Sequence, residues 1–240
     1  MLTQLARGLH DMGVEIRCSQ LALFETYREE LARWNQRMNL TAITDAAEVE
    51  TRHFLDSLTI LHALRGWRET GSGLRMIDVG SGAGFPGIPV KLILPEMRLT
   101  LLEATGKKTA FLSHMVTILG LCDTEVVHGR AEEVAHLPDH REAYDVAVAR
   151  AVASLSTLAE VCLPFVSVGG LFIALKKGDI EAELKSSRAA ITKVGGGEVR
   201  LLEVPLRQLP DERYLVCSTK TSPSPLQYPR RAGIPFKRPL

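Results

Sequence analysis

The chain has 240 residues, of which 45% are hydrophobic and 24% are charged, and its formal net charge is +1. These values are typical of a soluble globular protein that can bury the core of one large α/β domain with an appendage, and they exclude a disordered chain. The near-neutral balance also excludes a polycation, so any nucleic-acid partner must be held by a local patch of positive charge.

Cysteine spacing and apolar runs narrow the class of protein further. The four cysteines are far apart and show no C-x-x-C spacing, which argues against a zinc site or a disulfide framework and favours a reducing compartment. No apolar run is long enough to cross a membrane or to form a secretory signal. We therefore expect a cytoplasmic protein without a membrane span or a metal site.

Two helices are predicted before the first strand. Apolar residues recur at three- and four-residue steps from Leu21 to Met38, and the opposite face is charged, so this segment is predicted to be an amphipathic helix that faces the core. Asp45, followed by Glu48, has capping-box spacing and predicts a second helix that ends near Leu64. A polar, glycine-bearing connector over residues 66–73 should lead into the first strand.

Three polar residues of the second helix, His53, Asp56 and Ser57, lie within one turn. A hydrolase triad draws its members from separate elements that converge, and three residues of one helix cannot do so. We interpret the group as a polar helix face or a docking surface.

From residue 74 onward, predicted strands and helices alternate, which indicates a mostly parallel sheet covered by helices on both faces. The predicted strands are residues 75–79, 99–103, 125–128, 144–149 and 171–176. The predicted helices are residues 87–94, 107–119, 154–168 and 179–194, the last ended by the glycines at 195–197. Residues 198–206 and 213–219 are predicted to form an antiparallel pair at one edge of the sheet.

The segment 76–89, at the end of the first predicted strand, is rich in glycine. Gly80, Gly82 and Gly84 have the G-x-G-x-G spacing common in S-adenosylmethionine (SAM) sites. Gly82, Gly84 and Gly87 have the G-x-G-x-x-G spacing of dinucleotide sites. Glycine permits positive φ and leaves no Cβ beside the backbone, so the loop is predicted to hold an adenosine-bearing ligand. The spacing does not decide which ligand.

Three further polar segments follow predicted strands at the same edge. Glu103 ends the second strand, where its carboxylate can accept hydrogen bonds from ribose hydroxyls. Residues 129–132 follow the third strand, where a loop can contact adenine. Arg150 follows the fourth strand, and its permanent charge can bind an RNA phosphate, a guanine edge or a cofactor carboxylate.

The last segment, residues 222–240, has a different composition. It contains five prolines and four cations, Arg230, Arg231, Lys237 and Arg238, and it has no acidic residue. We predict an extended arm that binds RNA phosphates. The alternatives are a disordered, solvated terminus and a structural strap in which the apolar residues 234–236 pack against the catalytic domain.

Several of these motifs together resemble the signature blocks of one bacterial family. The blocks are WN at 34–35, MNLT at 38–41, HFLDSL at 53–58, DVGSGAGFPGIP at 78–89, RAE at 130–132, ARAV at 149–152 and YPRRAGIP at 228–235. The combination is similar to the small-subunit ribosomal RNA methyltransferase G family, also called glucose-inhibited division protein B. The likeness extends from about Trp34 to Leu240 and is far more specific than either glycine spacing.

This resemblance implies a fold and a domain organisation. The fold is α/β, a Rossmann-like class I SAM-dependent methyltransferase with a seven-stranded, mostly parallel sheet, an antiparallel edge hairpin and an N-terminal helical extension. The expected divisions are the helical extension at 1–73, the SAM-binding core at 74–220 and the basic, proline-rich tail at 221–240.

The resemblance also implies a reaction, namely SAM-dependent methylation of guanine N7 in the 530 loop of 16S rRNA, at the guanosine of rRNA position 527, with S-adenosyl-L-homocysteine as product. The partner would be 16S rRNA, within a small-subunit particle, and the protein would be a monomer. Guanine N7 carries a lone pair and no proton, so no general base is needed, and Arg150 is the expected catalytic residue through orientation. The expected cofactor-binding residues are Gly80, Gly82, Gly84, Phe85, Glu103, Ala104, Thr105, Ala131, Glu132 and Arg150.

Two other functions remain open at this stage. A nicotinamide oxidoreductase would share the glycine loop and Glu103, although we identify no separate substrate domain and no proton donor for hydride chemistry. A noncatalytic rRNA-binding assembly factor could retain the same fold. A comparison of SAM binding with NAD binding distinguishes the methyltransferase from the oxidoreductase. Methyl transfer to RNA distinguishes the methyltransferase from the noncatalytic assembly factor.

Overall fold

The computed structural model describes residues 2–65, 67, 73–150 and 153–240. Most of the predicted connector at 66–73, and residues 151 and 152 of the family-like block at 149–152, lie outside the described residues.

Within the described residues, a single seven-stranded sheet forms the centre of the molecule. Its strands are β1 (Arg75–Val79), β2 (Arg98–Glu103), β3 (Thr124–His128), β4 (Tyr144–Ala149), β5 (Val166–Lys177), β6 (Gly196–Glu203) and β7 (Arg213–Lys220). The order is β3-β2-β1-β4-β5-β7-β6; the first five strands are parallel, and β7 pairs antiparallel with both β5 and β6. This arrangement confirms the predicted fold class.

Helices cover both faces of the sheet. They are α1 (Thr3–Asp11), α2 (Cys18–Met38), α3 (Ala46–Glu48), α4 (Asp56–Leu58), α5 (Ile60–Arg65), α6 (Gly87–Ile93), α7 (Gly106–Ile118), α8 (Ala131–Val134), α9 (Leu155–Cys162), α10 (Glu181–Lys193) and α11 (Ile234–Lys237). A π-helix, Val49–Leu55, joins α3 to α4, so residues 46–65 form one nearly continuous helical run. Sequence analysis had not identified α1.

Alternate residues of the strands divide the core into two halves. On β4, Val146 and Val148 pack with the N-terminal helices, whereas Ala147 and Ala149 pack with α9 on the other face. Helix α2 lies on the first face, where Phe24 packs against Phe54 of the helical run with ring centroids 5.1 Å apart and ring planes inclined at 59°. The N-terminal helices therefore share one core with the sheet.

Two predicted element boundaries are wrong. The helix predicted over 154–168 ends at Cys162, because a 3-10 turn at Leu163–Phe165 is followed by β-branched residues that enter β5. Of the three glycines predicted to end the next helix, only Gly195, with φ of 95°, has that position. The other two are the first residues of β6, and Gly196 pairs with Lys220 of β7.

Residues 222–240, which we call the C-terminal strap, are ordered and pack against α8 and α9. Arg230 donates to the Glu160 carboxylate from Nε at 2.8 Å and from Nη2 at 2.6 Å, and Glu160 is fully buried. The backbone N–H of Gly233 donates to Glu132 Oε1 at 2.7 Å, and Thr157 Oγ1 donates to the carbonyl of Pro235 at 2.9 Å.

These contacts correct the predictions for the tail. The disordered terminus is wrong, and so is an arm that is extended throughout, because the strap contains α11. Ile234 and Phe236 are exposed while Pro235 is buried, so polar contacts hold the strap more than the expected apolar trio does.

Candidate active site

The glycine loop lies at the carboxyl end of β1, and its glycines serve two different purposes. Gly80 and Gly82 have φ of 75° and 59°, and a Cβ on either would meet no heavy atom closer than 3.9 Å, so open space lies beside them. A Cβ on Gly84 would approach Ile88 to 2.5 Å, and one on Gly87 would approach Leu101 to 2.8 Å. The first pair therefore leaves room for a ligand, while the second pair permits close packing of helix and strand.

Glu103, at the carboxyl end of β2, joins the glycine loop to the loop after β2. Its Oε2 accepts a hydrogen bond from the N–H of Gly82 at 2.9 Å, and its Oε1 accepts one from Thr105 at 2.8 Å. Each carboxylate oxygen has a further lone pair that can accept a ribose hydroxyl. The position and chemistry of this buried acid thus fit a bound adenosine.

Asp78 lies beneath the same loop and is fully buried. Its Oδ2 accepts from the N–H of Gly87 at 2.8 Å, whereas its Oδ1 has no hydrogen-bond partner among the described residues. Burial raises the pKa of Asp78 from its ordinary 3.8 to about 7, against the opposing effects of the Gly87 hydrogen bond and of the Arg150 charge. The unpaired oxygen is itself buried, so its surroundings favour the neutral, protonated acid.

Arg150 follows β4 and reaches the glycine loop from the other side. Its Cζ lies 4.9 Å from the centroid of the Phe85 ring, a cation–π contact. Its Nη1 donates to the Arg52 carbonyl and to Asp56 Oδ2, both at 3.2 Å, and its Nη2 lies 3.3 Å from Nδ1 of His53. The guanidinium thus joins the glycine loop to the π-helix.

His53 is held between these groups in one tautomer. Its ring stacks on Phe85 with centroids 4.5 Å apart, and its Nε2 lies 2.7 Å from Thr41 Oγ1. Because the Arg150 guanidinium can only donate, Nδ1 of His53 must be the acceptor and Nε2–H the donor. Burial and the nearby Arg150 charge lower the pKa of His53 to about 3, so the imidazole is neutral.

The interpretation of His53, Asp56 and Ser57 as a polar face or docking surface is wrong, since all three are buried. Sequence reasoning missed them because it took the second helix to have a solvated side. The available signal was the apolar sequence around them, from Phe54 to Leu64, since a helix that is apolar all round is buried.

The remaining predicted residues lie in three different settings. Ala131 and Glu132, predicted to be in a loop, begin the short helix α8, and the Glu132 carboxylate is occupied by the strap. Of the predicted RNA contacts, Arg231, Lys237 and Arg238 are exposed. Arg230 is not free for a phosphate, because its guanidinium is paired with Glu160.

A cavity of about 720 Å³ opens beside Arg150, above the carboxyl ends of β4 and β5. His53, Asp56, Arg213 and Lys176 contribute to its wall, and its volume lies within the usual range for small-molecule sites. A second cavity, of about 710 Å³, lies between α2 and residues 39–46. Volume does not distinguish the two, but the first contains the charged groups next to the glycine loop.

No group of three or more His, Cys, Asp and Glu side chains could hold a metal ion among the described residues. Nor does any described helix have the length and apolar character required to cross a bilayer.

Comparison with known protein families gives one consistent result. The family model described as rRNA small subunit methyltransferase G matches residues 20–209. A ribosomal RNA small subunit methyltransferase G of Dehalococcoides mccartyi (strain CBDB1) is 46% identical over 240 residues, covering 100% of both chains. The protein of the same name from Roseiflexus castenholzii (strain DSM 13941 / HLO8) is 46% identical over 241 residues, again with 100% coverage of both chains.

Solved structures agree with the fold. A mutant of MtNAS in complex with S-adenosylmethionine has a TM-score of 0.56 at 16% identity, covering 85% of this chain and 75% of that chain. M. jannaschii TYW2 in complex with AdoMet has a TM-score of 0.51 at 12% identity, covering 66% of this chain and 74% of that chain. At such low identity these likenesses concern the fold alone.

The buried Asp78 generates a prediction about stability and pH. Because its folded pKa of about 7 lies above the ordinary 3.8, the folded state binds more protons between these values, and the free energy of unfolding falls as pH rises through that window, by up to about 4 kcal/mol. Asp78→Asn should remove this decline. The free energy of unfolding of the variant should therefore rise relative to that of the wild type from pH 4 to pH 7, and the difference should stay constant at higher pH.

Denaturant unfolding at half-unit pH steps measures this difference. Asp139→Asn, at an exposed aspartate, is the matched control and should leave the pH dependence unchanged. Parallel curves for wild type and Asp78→Asn across the whole range would contradict the assignment.

Proposed function

This chain belongs to the rRNA small subunit methyltransferase G family, and we propose that it transfers the methyl group of SAM to N7 of a guanine in the 530 loop of 16S rRNA. The observation that carries the proposal is the placement of Arg150 between the glycine loop and the 720 Å³ cavity. We also propose that it acts in the cytoplasm, as a monomer, on rRNA within a small-subunit particle.

The strand order divides the proposed site into a side that would bind the cofactor and a side that would bind the acceptor base. Glu103 on β2 and the start of α8 after β3 lie on one side of the glycine loop and would hold the adenosine. Gly80 and Gly82 leave space over β1 for the methionine part. When bound, SAM supplies an electrophilic methyl group on a sulfonium centre. The cavity over β4 and β5 lies on the opposite side and is the place for the acceptor base.

The chain's own residues support orientation rather than proton transfer as the source of catalysis. Guanine N7 has no proton to lose. His53 lines the cavity, but both of its ring nitrogens are engaged and its low pKa makes it a poor base. Arg150 instead presents donors toward the cavity, and guanine O6, adjacent to N7, is an acceptor that arginine recognises.

The proposed reaction is tested by mapping methyl transfer nucleotide by nucleotide. Tritiated SAM is incubated with the protein and 16S rRNA, either free or in a small-subunit particle, and labelled guanines are located by cleavage at N7-methylated sites. We expect one labelled guanine, in the 530 loop. RNA binding without methyl transfer would favour the noncatalytic assembly factor, and label at another atom or loop would contradict the proposal.

Glu103→Ala should weaken SAM binding at least tenfold while the protein still folds. The variant loses the acceptor for the ribose and leaves the N–H groups of Gly82 and Thr105 without their partner, a cost of about 1–3 kcal/mol for a buried donor. Calorimetric titration with SAM measures the affinity. Glu125→Ala, at an exposed position near the amino end of β3, is the control. Equal SAM affinity in wild type and Glu103→Ala would remove Glu103 from the site.

The exposed cations of the strap generate a prediction about RNA affinity. Replacing Arg231, Lys237 and Arg238 together with Gln should weaken RNA binding and reduce the slope of log affinity against log salt by about 2 to 3, because three fewer phosphate contacts release fewer counterions. SAM affinity should be unchanged.

Arg230→Gln is the control from the same strap. It leaves Glu160 buried without its partner, so it should lower the free energy of unfolding by about 3–5 kcal/mol and keep the salt slope. Superimposable salt plots for wild type and the triple variant would rule out the strap as a phosphate-binding element.

A further inference from the structure

A buried ion network connects Arg150 to the antiparallel hairpin at the edge of the sheet. Arg213, the first residue of β7, donates from Nε to Asp56 Oδ1 at 2.6 Å, and each of these side chains is only 9% exposed. The other oxygen of the same carboxylate accepts from Arg150 Nη1 at 3.2 Å. Asp56 therefore bridges two guanidinium groups, one from the hairpin and one beside the glycine loop.

The two hydrogen bonds of Asp56 differ in length, which suggests different tasks. The bond to Arg213 is short, as expected for a charge-assisted pair, and it fixes the carboxylate. The contacts of Arg150 with Asp56 and His53 are 3.2 and 3.3 Å, which is long for such pairs. The network thus orients the Arg150 guanidinium without using the full hydrogen-bonding capacity of its N–H groups.

The charges around the two arginines also indicate that Arg150 keeps part of its capacity to bind a substrate. Arg213 has a second acidic partner, Asp211, whose Oδ2 lies 3.3 Å from Nη1. Among the contacts given above, Arg150 shares Asp56 as its acidic partner, and its other contacts are with groups that carry no net charge: the Arg52 carbonyl, the neutral His53 imidazole and the Phe85 ring. Part of its positive charge is therefore uncompensated where it faces the cavity, and it can be directed at an acceptor on the substrate.

We propose that Asp56 and Arg213 are positioning residues: Arg213 fixes the Asp56 carboxylate, which in turn directs the Arg150 guanidinium toward O6 of the guanine in the cavity. This inference rests on the proposed function. Guanine presents an acceptor at this place and adenine presents a donor, so the same network would favour guanine. It also gives the edge hairpin, which lies beyond β5 from the glycine loop, a part in the reaction.

The competing explanation is purely structural, with Asp56 and Arg213 joining the helical run to the hairpin. Single variants do not separate the two explanations, because Asp56→Asn or Arg213→Gln leaves a buried charge unbalanced and should lower both stability and kcat. The double variant does separate them. It removes both charges, so stability should return toward the wild-type value, but Arg150 still lacks its guiding carboxylate.

The experiment measures denaturant stability, kcat at saturating SAM and KM for rRNA in the two single variants and the double variant. We expect kcat to stay about 100-fold below wild type in the double variant, a loss typical of misplaced groups, although its stability recovers. Glu212→Gln, at an exposed acid next to Arg213 whose carboxylate accepts from Tyr214 Oη and does not line the cavity, is the control and should keep kcat within about twofold. Recovery of kcat together with stability would overturn the inference.

A second readout does not depend on methyl transfer. In protein with ¹⁵N-labelled arginine, the Arg150 guanidinium, assigned with Arg150→Lys, should rotate slowly in the wild type and fast in Asp56→Asn and in the double variant. Equal rotation rates would overturn the positioning role even if the wild type methylates rRNA. Slow wild-type rotation in a protein that transfers no methyl group would overturn the proposed function while supporting the network.

Discussion

The packing around the Phe85 ring is the contact on which the rest of the site depends. Tyr27 of α2 stacks on this ring at 5.2 Å, His53 of the π-helix stacks at 4.5 Å and the Arg150 guanidinium lies 4.9 Å away. Aromatic pairs of this kind contribute about 0.5–1.5 kcal/mol each beyond the area that they bury. Phe85 is among the residues expected to contact the cofactor, and its ring is a buried junction between these groups. The shape of the glycine loop is therefore set jointly by three separate parts of the chain.

Through this junction the N-terminal helices help to fix the glycine loop, although the loop itself belongs to the sheet. The Tyr27 hydroxyl donates to the carbonyl of Ala83 at 2.5 Å, so α2 bonds directly to the backbone of the glycine loop. A Cβ on Gly84 would lie 2.7 Å from the same hydroxyl, which leaves glycine as the residue that fits. The third glycine of the G-x-G-x-G spacing is thus required by the helical extension as well as by the backbone conformation at that position.

The sheet and the glycine loop could be predicted because their signals are local: a strand is recognised from a short apolar run, and its end from the glycine or acid that follows directly. The buried polar contacts were harder to find, since each joins residues far apart in sequence, as Asp56 and Arg213 do. Composition showed a basic tail but could not show which cation was already paired. A partial signal existed in Glu160, the lone acid in the apolar sequence of α9, because a fully buried carboxylate requires a partner.

The two additions to the sheet hold the predicted cofactor loops from opposite faces. The helical extension packs on one face and bonds to the glycine loop through Tyr27, while the strap packs on the other and bonds to the start of α8 through Glu132. The solved structures of similar fold are less than 20% identical to this chain, whereas relatives 46% identical match it along its whole length, both additions included. The two contacts, from Tyr27 to the glycine loop and from Glu132 to the strap, therefore lie in segments that these relatives share. Each fixes a loop that a bare sheet would leave to be ordered by its ligand, and a loop fixed in advance costs less conformational entropy when the ligand binds.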